Sequence, residues 1–362
     1  MGGGNDEMVP MEEMTMTRAR GVSGDGAWSV ILAGGEGERT RSFIEKWLGY
    51  HKPKQYCAFV GRRSLFQHTV DRADRMAPPQ RRAVVVAENH REEVFAQLRG
   101  RIPGTVILQP RNRGTAPGVF LALTYVKARD PDAIVTIFPS DHFVHPEDQF
   151  ARAVAEAREL ARKMEERLVL LGVRPEGPET QYGWIETGLD RESVGGFPAG
   201  EVRGFVEKPS LDEARSALFR GALWNTLIVT GKLKAFWKLG FKLFPEMMGL
   251  FEELGRAVGS PEEEAHLKGI YRSMPVGDFS SDLLQRCPEA LTVVELSGVA
   301  WSDWGCPRRI RDTLRAIGKE PAFADRENGA ETNRLQHTMM FSAVMMPEEV
   351  VYGGETADRR DR

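Results

Sequence analysis

Short β-branched apolar runs alternate along this chain with stretches in which apolar residues recur at helical spacing. Ser29–Ala33, Ala83–Ala87, Thr105–Gln109, Ala133–Pro139 and Leu168–Val173 have the length and composition of buried strands. Strands covered on both faces read as continuous apolar runs. Between the last two, Phe150, Val154, Ala157, Ala161 and Met164 share one helical face with charges opposite, which predicts an amphipathic helix. Strand–helix alternation of this kind predicts an α/β fold with a mostly parallel sheet between helical layers. Ligands of such sheets sit beyond the carboxyl ends of the strands. Beyond Gly183 the strands shorten and the spacing changes, which predicts an inserted lobe that returns to the sheet near Trp301.

The pattern fails at both ends. Residues 1–26 hold little to bury and are expected to form a disordered leader. Residues 321–362 are polar apart from a Met-rich patch from His337 to Met346. They are expected to be a tail that is flexible or ordered by a partner, and the patch suits a homodimer contact. Residues 27–320 then form one domain, with halves at 27–175 and 176–320. Among the 362 residues, 41% are hydrophobic and 28% charged, and the net charge is −3. That balance excludes the basic excess of a nucleic-acid binder. Cys57, Cys287 and Cys306 are odd in number and far apart, which suits reduced thiols rather than a disulfide framework. No apolar run reaches the ~20 residues of a membrane span, and no signal-peptide core precedes Ala27. The expectation is a cytoplasmic protein without a membrane partner.

Candidate chemistry begins where the first strand ends. Ala33, Gly34, Gly35 and Gly37 open a charged loop containing Arg39, and Pro53-Lys54-Gln55 follows about one helix later. Glycines let backbone N–H groups approach a polyanion, and two separated cations supply the charge. A dinucleotide loop would need glycine where Thr40 stands, and no Gly-Lys-Ser/Thr of a Walker A loop is present. The pattern G-G-x-G-x-R followed by P-K resembles the signature of the sugar-phosphate nucleotidyltransferases, in particular the mannose-1-phosphate guanylyltransferases. Further segments follow in that family's order: Gln109-Pro110-Arg111-Asn112-Arg113-Gly114-Thr115, Pro139-Ser140-Asp141-His142, Tyr182-Gly183-Trp184-Ile185-Glu186, Phe205-Val206-Glu207-Lys208-Pro209 with Trp224-Asn225, and Trp301-Ser302-Asp303-Trp304-Gly305.

The resemblance implies a Rossmann-like three-layer sandwich with a mixed central sheet and a sugar-binding lobe. It implies transfer of a nucleotidyl group from a nucleoside triphosphate, GTP foremost, to a hexose 1-phosphate, mannose 1-phosphate foremost. Gln109, Asn112 and Thr115 would read base and ribose, and Arg39 and Lys54 would neutralise the triphosphate. Asp141 and Asp303 would hold Mg2+, a hard cation suited to few carboxylates plus phosphate oxygens. Lys208 would hold the sugar's phosphate, with Gly183, Glu207 and Asn225 around the sugar. Plainer readings stand beside these. Asp141 suits a helix cap or Asx-turn, Asp303 a turn ahead of a helix Pro307–Ile317, and Gln109, Asn112 and Gly183 suit turns. Arg39 and Lys54 suit solvated charge, and Lys208 a turn before proline. His142 and His145 are expected to pack or face solvent, because magnesium does not favour imidazole.

Several residues depart from the family pattern. The stretch between Arg39 and Pro53 is longer, Glu38 stands where threonine is usual, and Thr226-Leu227 replaces Ser-Gly after Asn225. Asp278 lies out of phase with the expected Ser-Ile-Asp segment and is held as a reserve metal ligand. The alternatives are the same chemistry with another base or sugar, and a catalytically silent nucleotide-sugar sensor.

Overall fold

The computed structural model describes residues 26–188 and 192–323. Of the expected leader only Gly26 is described, and of the expected tail only residues 321–323, where Phe323 is buried in a core and so begins no loose tail; the remainder, with the Met-rich patch, lies outside the described residues. Four strands, β1 (Ala27–Ala33), β2 (Arg82–Ala87), β3 (Thr105–Gln109) and β4 (Ile134–Pro139), run parallel in the order β3-β2-β1-β4. They coincide with the four apolar runs to within two residues. A short β5 (Phe143–His145) leaves the sheet, which continues through β6 (Leu168–Val173), β7 (Gly183–Thr187), β8 (Glu192–Val194), β9 (Phe197–Glu207), β10 (Leu223–Lys232) and β11 (Leu291–Glu295). The result is a mixed ten-stranded sheet in the order β3-β2-β1-β4-β10-β6-β11-β9-β7, with β8 on β9. β10 enters antiparallel between β4 and β6. β12 (Ala300–Ser302) pairs with β5 as a separate antiparallel ribbon.

Two expectations for the second half change. β9 spans eleven residues and β10 ten, and both belong to the main sheet rather than to a sheet of their own. The chain re-enters that sheet at β11, whereas Trp301 lies in the β5–β12 ribbon. Polar positions on the outward face of β9 interrupt its apolar run, so its length is hidden from periodicity.

The helices are α1 (Glu38–Leu48), α2 (Leu65–Met76), α3 (Arg91–Gln97), α4 (Thr115–Lys127), α5 (Glu147–Lys163), α6 (Leu211–Phe219), α7 (Leu233–Leu243), α8 (Pro245–Ala257), α9 (Glu263–Ser273) and α10 (Pro307–Ala316). Alternate residues of each central strand enter different cores. Val30, Val135 and Ile137 pack with α4, α7, α8 and α9, while Ile31, Ile134 and Phe138 pack with α2 and α5. Each such side chain, fully buried, contributes about 1.5–3 kcal/mol. α2 is started by a capping box between Ser64 and Gln67, which satisfies two otherwise orphaned N–H groups.

Most of the stretch between Arg39 and Pro53 belongs to α1, whose Phe43, Ile44 and Trp47 lie on one face and whose end is marked by Gly49 at φ 85°. Glycine at that position takes the left-handed conformation without a Cβ clash. With Phe59, Trp304, Phe323 and α10, this face builds a third, smaller core.

Candidate active site

The carboxyl ends of β1 and β4 carry the loop Gly34–Gly37 and the turn at Asp141. Ala33 ends β1, fully buried, and its carbonyl accepts from Gln55 Nε2 at 3.1 Å; the same amide reaches the Gly35 carbonyl at 2.8 Å. The glycine loop therefore folds onto the Lys54–Tyr56 turn. Gly37, at φ 67°, approaches so closely that a Cβ would stand 3.1 Å from the Lys54 backbone nitrogen.

Distance in sequence is overcome by the β5–β12 ribbon. Its register sets Ser302 opposite Phe143, which brings Asp303 and Asp141 to the same end. Lys54, 3% exposed, fills the space between them. Its Nζ lies 2.7 Å from Asp141 Oδ2 and donates to the Asp303 carbonyl at 2.5 Å. Arg39, half exposed, closes on Asp303 Oδ2 at 2.7 Å. A Cβ on Gly305 would collide with that pair, at 2.6 Å from the carboxylate and 2.7 Å from the guanidinium. Asp303 Oδ1 accepts from the Tyr182 hydroxyl at 2.7 Å, Arg309 Nη1 at 2.9 Å and the Gly305 N–H at 2.9 Å. Arg309 also reaches Glu179 and lies over the Tyr182 ring at 4.7 Å.

Burial works against the ionised forms of both aspartates. For Asp141 the Lys54 ammonium, helped by His142, outweighs burial and holds the carboxyl below its usual range. For Asp303 Lys54, the Tyr182 hydroxyl and Arg39 do the same. Burial, together with Asp303, pushes the Tyr182 phenol up, so it stays a donor. His142 packs edge-on against Trp301 at 5.2 Å, with burial pushing its pKa down, and His145 is exposed.

The sugar-side candidates form a second group. Gly183 pairs with Glu207 across β7 and β9, and a Cβ there would meet Glu207 Oε2 at 2.5 Å. Burial pushes the Glu207 carboxyl up to about 7, opposed by Lys208 and assisted by Asp278. Lys208 is exposed, with its Nζ 3.6 Å from Glu207. Asn225, buried, begins a bulge in β10 and caps Leu227 N–H at 3.1 Å. Tyr182 ties the two groups: its carbonyl accepts from Lys208 N–H at 3.2 Å while its hydroxyl serves Asp303. Among the described residues, the non-glycine residues at positive φ are Lys208, Leu227 and Trp304. Each follows a candidate residue by one or two positions, where strain is commonly held by its surroundings.

Gln109 ends β3 with its side chain buried beside Tyr271 and its Oε1 facing Gly34. Asn112 accepts from Gly114 N–H at 2.9 Å, the turn its residue type suits. Thr115 opens α4 and binds Asp278 Oδ2 at 3.0 Å and Phe279 N–H at 2.7 Å. Asp278 also accepts from Ser280 and Ser281 N–H, so it acts as a local cap and does not join the two aspartates. The sequence motifs include Tyr182 without distinguishing it, and they leave Arg309 out. Arg309 sits in the first turn of α10 on the side of Asp303, a proximity that only the fold reveals.

Among the described residues no three His, Cys, Asp or Glu side chains gather to hold a metal. Lys54 meets the Asp141 carboxylate and the Asp303 backbone carbonyl; the two aspartates at this end nonetheless fit magnesium, which takes its remaining ligands from phosphate and water. Asp141 keeps a third of its side chain open; Asp303 would have to release Arg39. A cavity of about 560 Å³ is lined by Arg174, Trp224, Glu295 and Trp301 among others; its two tryptophans pack on Tyr182, but none of the candidate binding or metal residues lines it.

Residues 28–319 match the model of a family described as nucleotidyl transferase. The chain is 29% identical over 296 residues to "Xanthan biosynthesis protein XanB" of Xanthomonas campestris pv. campestris, covering 80% of this chain and 60% of the relative. It is 27% identical over 282 residues to "Mannose-1-phosphate guanylyltransferase" of Escherichia coli, covering 76% of this chain and 59% of that one. The chain thus spans about 60% of the length of the curated relatives it matches. A solved structure of a protein titled "mannose-1-phosphate geranyltransferase", from Thermus thermophilus, superposes with TM-score 0.67 at 25% identity, covering 80% of this chain and 79% of that one.

Proposed function

The chain belongs to the nucleotidyl transferase family, and from that premise we propose that it joins mannose 1-phosphate to GTP, giving GDP-mannose and pyrophosphate. The observation that supports this most is the convergence of Arg39, Lys54, Asp141 and Asp303 in one hydrogen-bonded cluster beside Gly34–Gly37. A phosphate oxygen of the sugar 1-phosphate attacks the α-phosphorus in line. The bond from that phosphorus to the bridging oxygen breaks, and pyrophosphate leaves with the electron pair. No general base is needed, because a phosphate monoester is already nucleophilic at neutral pH.

The protein's share is therefore positioning and charge. The Gly34–Gly37 amides and Lys54 take the triphosphate, and Arg39 swings from Asp303 to the leaving phosphates. Magnesium held by Asp141 and Asp303 would supply further neutralisation of the developing charge. Glu207 and Asn225 orient the sugar, and Lys208 screens its phosphate from the nucleotide's. Gln109, Asn112 and Thr115 lie toward base and ribose. Substrates of this kind suit the cytoplasm, and no described helix is long and apolar enough to cross a membrane.

The test is pyrophosphate release with each nucleoside triphosphate against a panel of sugar 1-phosphates. GTP with mannose 1-phosphate is expected to turn over fastest. Binding of a nucleotide sugar without turnover of any pair overturns the reading in favour of a silent sensor.

A further inference from the structure

Each of the four clustered charges has an aromatic neighbour close by in the chain, and those neighbours are linked, through Trp47 and Phe323, into one set of ring contacts. Phe43 follows Arg39 on α1, Phe59 follows Lys54, Phe143 follows Asp141, and Trp304 follows Asp303. Trp304 stacks on Phe143 with centroids 4.7 Å apart and meets Phe59 edge-on at 5.6 Å. Phe59 stacks on Trp47 at 5.4 Å. Phe323 closes the set, edge-on to Phe43 at 4.9 Å and to Trp47 at 5.7 Å, and is 1% exposed. The preceding Ala322 N–H donates to the Phe59 carbonyl at 2.8 Å.

This cluster is more than an ordinary patch of core. Ile44 of α1, and Ile310 and Leu314 of α10, are buried in it and in neither of the two large cores. α1 carries Arg39 and α10 carries Arg309, so the helices bearing both guanidinium partners of Asp303 are referenced to the sheet through these rings. Trp304 sits at φ 44° with its indole fully buried. A strained backbone persists only where its surroundings over-determine it, and here those surroundings are Phe143 and Phe59. The strained residue directly follows the Asp303 carbonyl that receives Lys54.

We propose that this aromatic cluster is the positioning element for Arg39, Lys54, Asp141 and Asp303, and that Phe323 is the residue that locks it. The inference deepens the nucleotidyl-transfer reading and rests on it for the kinetic arm of its test. The full chain is compared with Phe323→Ala and Phe323→Leu by hydrogen exchange and by pyrophosphate release. In Phe323→Ala, exchange quickens in residues 34–57 and 302–306 while β1 to β4 keep wild-type protection. A displacement of about 1 Å at reacting groups lowers kcat by roughly 10–100-fold. The KM for the sugar phosphate, read by Glu207 and Lys208 on other elements, stays within about twofold. Phe323→Leu, which refills most of the volume, restores kcat to within about threefold of wild type.

Unchanged exchange in both segments overturns the proposal. So does acceleration shared equally by the sheet strands, which would mark simple loss of core. If the wild type releases no pyrophosphate with any pair, the functional reading falls, and the exchange pattern alone decides this one.

Discussion

Replacing Lys54 by methionine removes one charge from the middle of the cluster and leaves most of its packing. The ammonium is 3% exposed and serves Asp141 at 2.7 Å and the Asp303 carbonyl at 2.5 Å. Breaking a fully buried ion pair costs about 3–5 kcal/mol, because the remaining charge is stranded. Asp141 keeps 34% of its side chain exposed, and solvent screening lowers the expected cost to about 2–3 kcal/mol. Methionine fills the stem's volume, so little of that comes from a cavity. Urea unfolding with a chelator present, repeated from acid to neutral pH, isolates the charge.

Both aspartates titrate in the folded state below the ordinary value of 3.8. Their ionised forms therefore stabilise the fold above that value, and the contribution is lost as pH falls through it toward the folded pKa. Without Lys54 the depression shrinks. The gap between wild type and variant should be full near neutral pH and close below about pH 4. Magnesium should stabilise the variant more than the wild type, since the ion would enter a site the ammonium no longer fills. A gap of constant size from acid to neutral pH would refute this electrostatic account and assign the loss to packing.

Two further outcomes follow from the second group and from the turn at Gly114. Glu207 has a folded pKa of about 7 against an ordinary value of 4.5, set mainly by burial. Folding therefore favours its protonated form, so stability present at low pH declines between those values as pH rises; Glu207→Gln should lack that decline in a pH series of melting curves. Gly114→Ala meets φ 93° and a Cβ 2.2 Å from the Gly277 carbonyl, for which about 2 kcal/mol or more is expected. Gly49→Ala, at φ 85° with open space around it, should lower the melting temperature less. Equal losses would show that the Gly114–Gly277 contact is unimportant.

What the sequence reveals of this molecule follows the range of its interactions. β1 to β4 and α5 are legible because both faces of the strands and one face of the helix are buried, which stamps the pattern directly on the text. The candidate residues are legible as short motifs, each set by local backbone needs such as the left-handed turn at Gly37. The partnership of Arg309 and Tyr182 with Asp303 is not legible: Tyr182, just ahead of β7, lies 121 residues away, and Arg309, six residues on, reaches Asp303 only because the first turn of α10 folds back on it. α1 is hidden by family expectation, which treats residues 40–52 as a variant loop, although Phe43, Ile44 and Trp47 share a helical face. The length of β9 is hidden by its solvated face. Asp278, held in reserve from the sequence, shows a local role the motif does not display: its oxygens accept from Thr115 and the Ser280–Ser281 amides.

The antiparallel insertion of β10 between β4 and β6 limits how this molecule can move. Asn225 at the start of β10 and Asp141 just past the end of β4 are carried by adjoining strands stitched at Val229–Ile137 through Lys232–Ile134. Swinging the halves apart like jaws would unzip that ladder. On the proposed reaction, capture and release of its two phosphorylated substrates would fall to small flaps at the rim, and turnover should remain undiminished in a chain whose β4 and β10 are stapled together by a cross-link far from the rim.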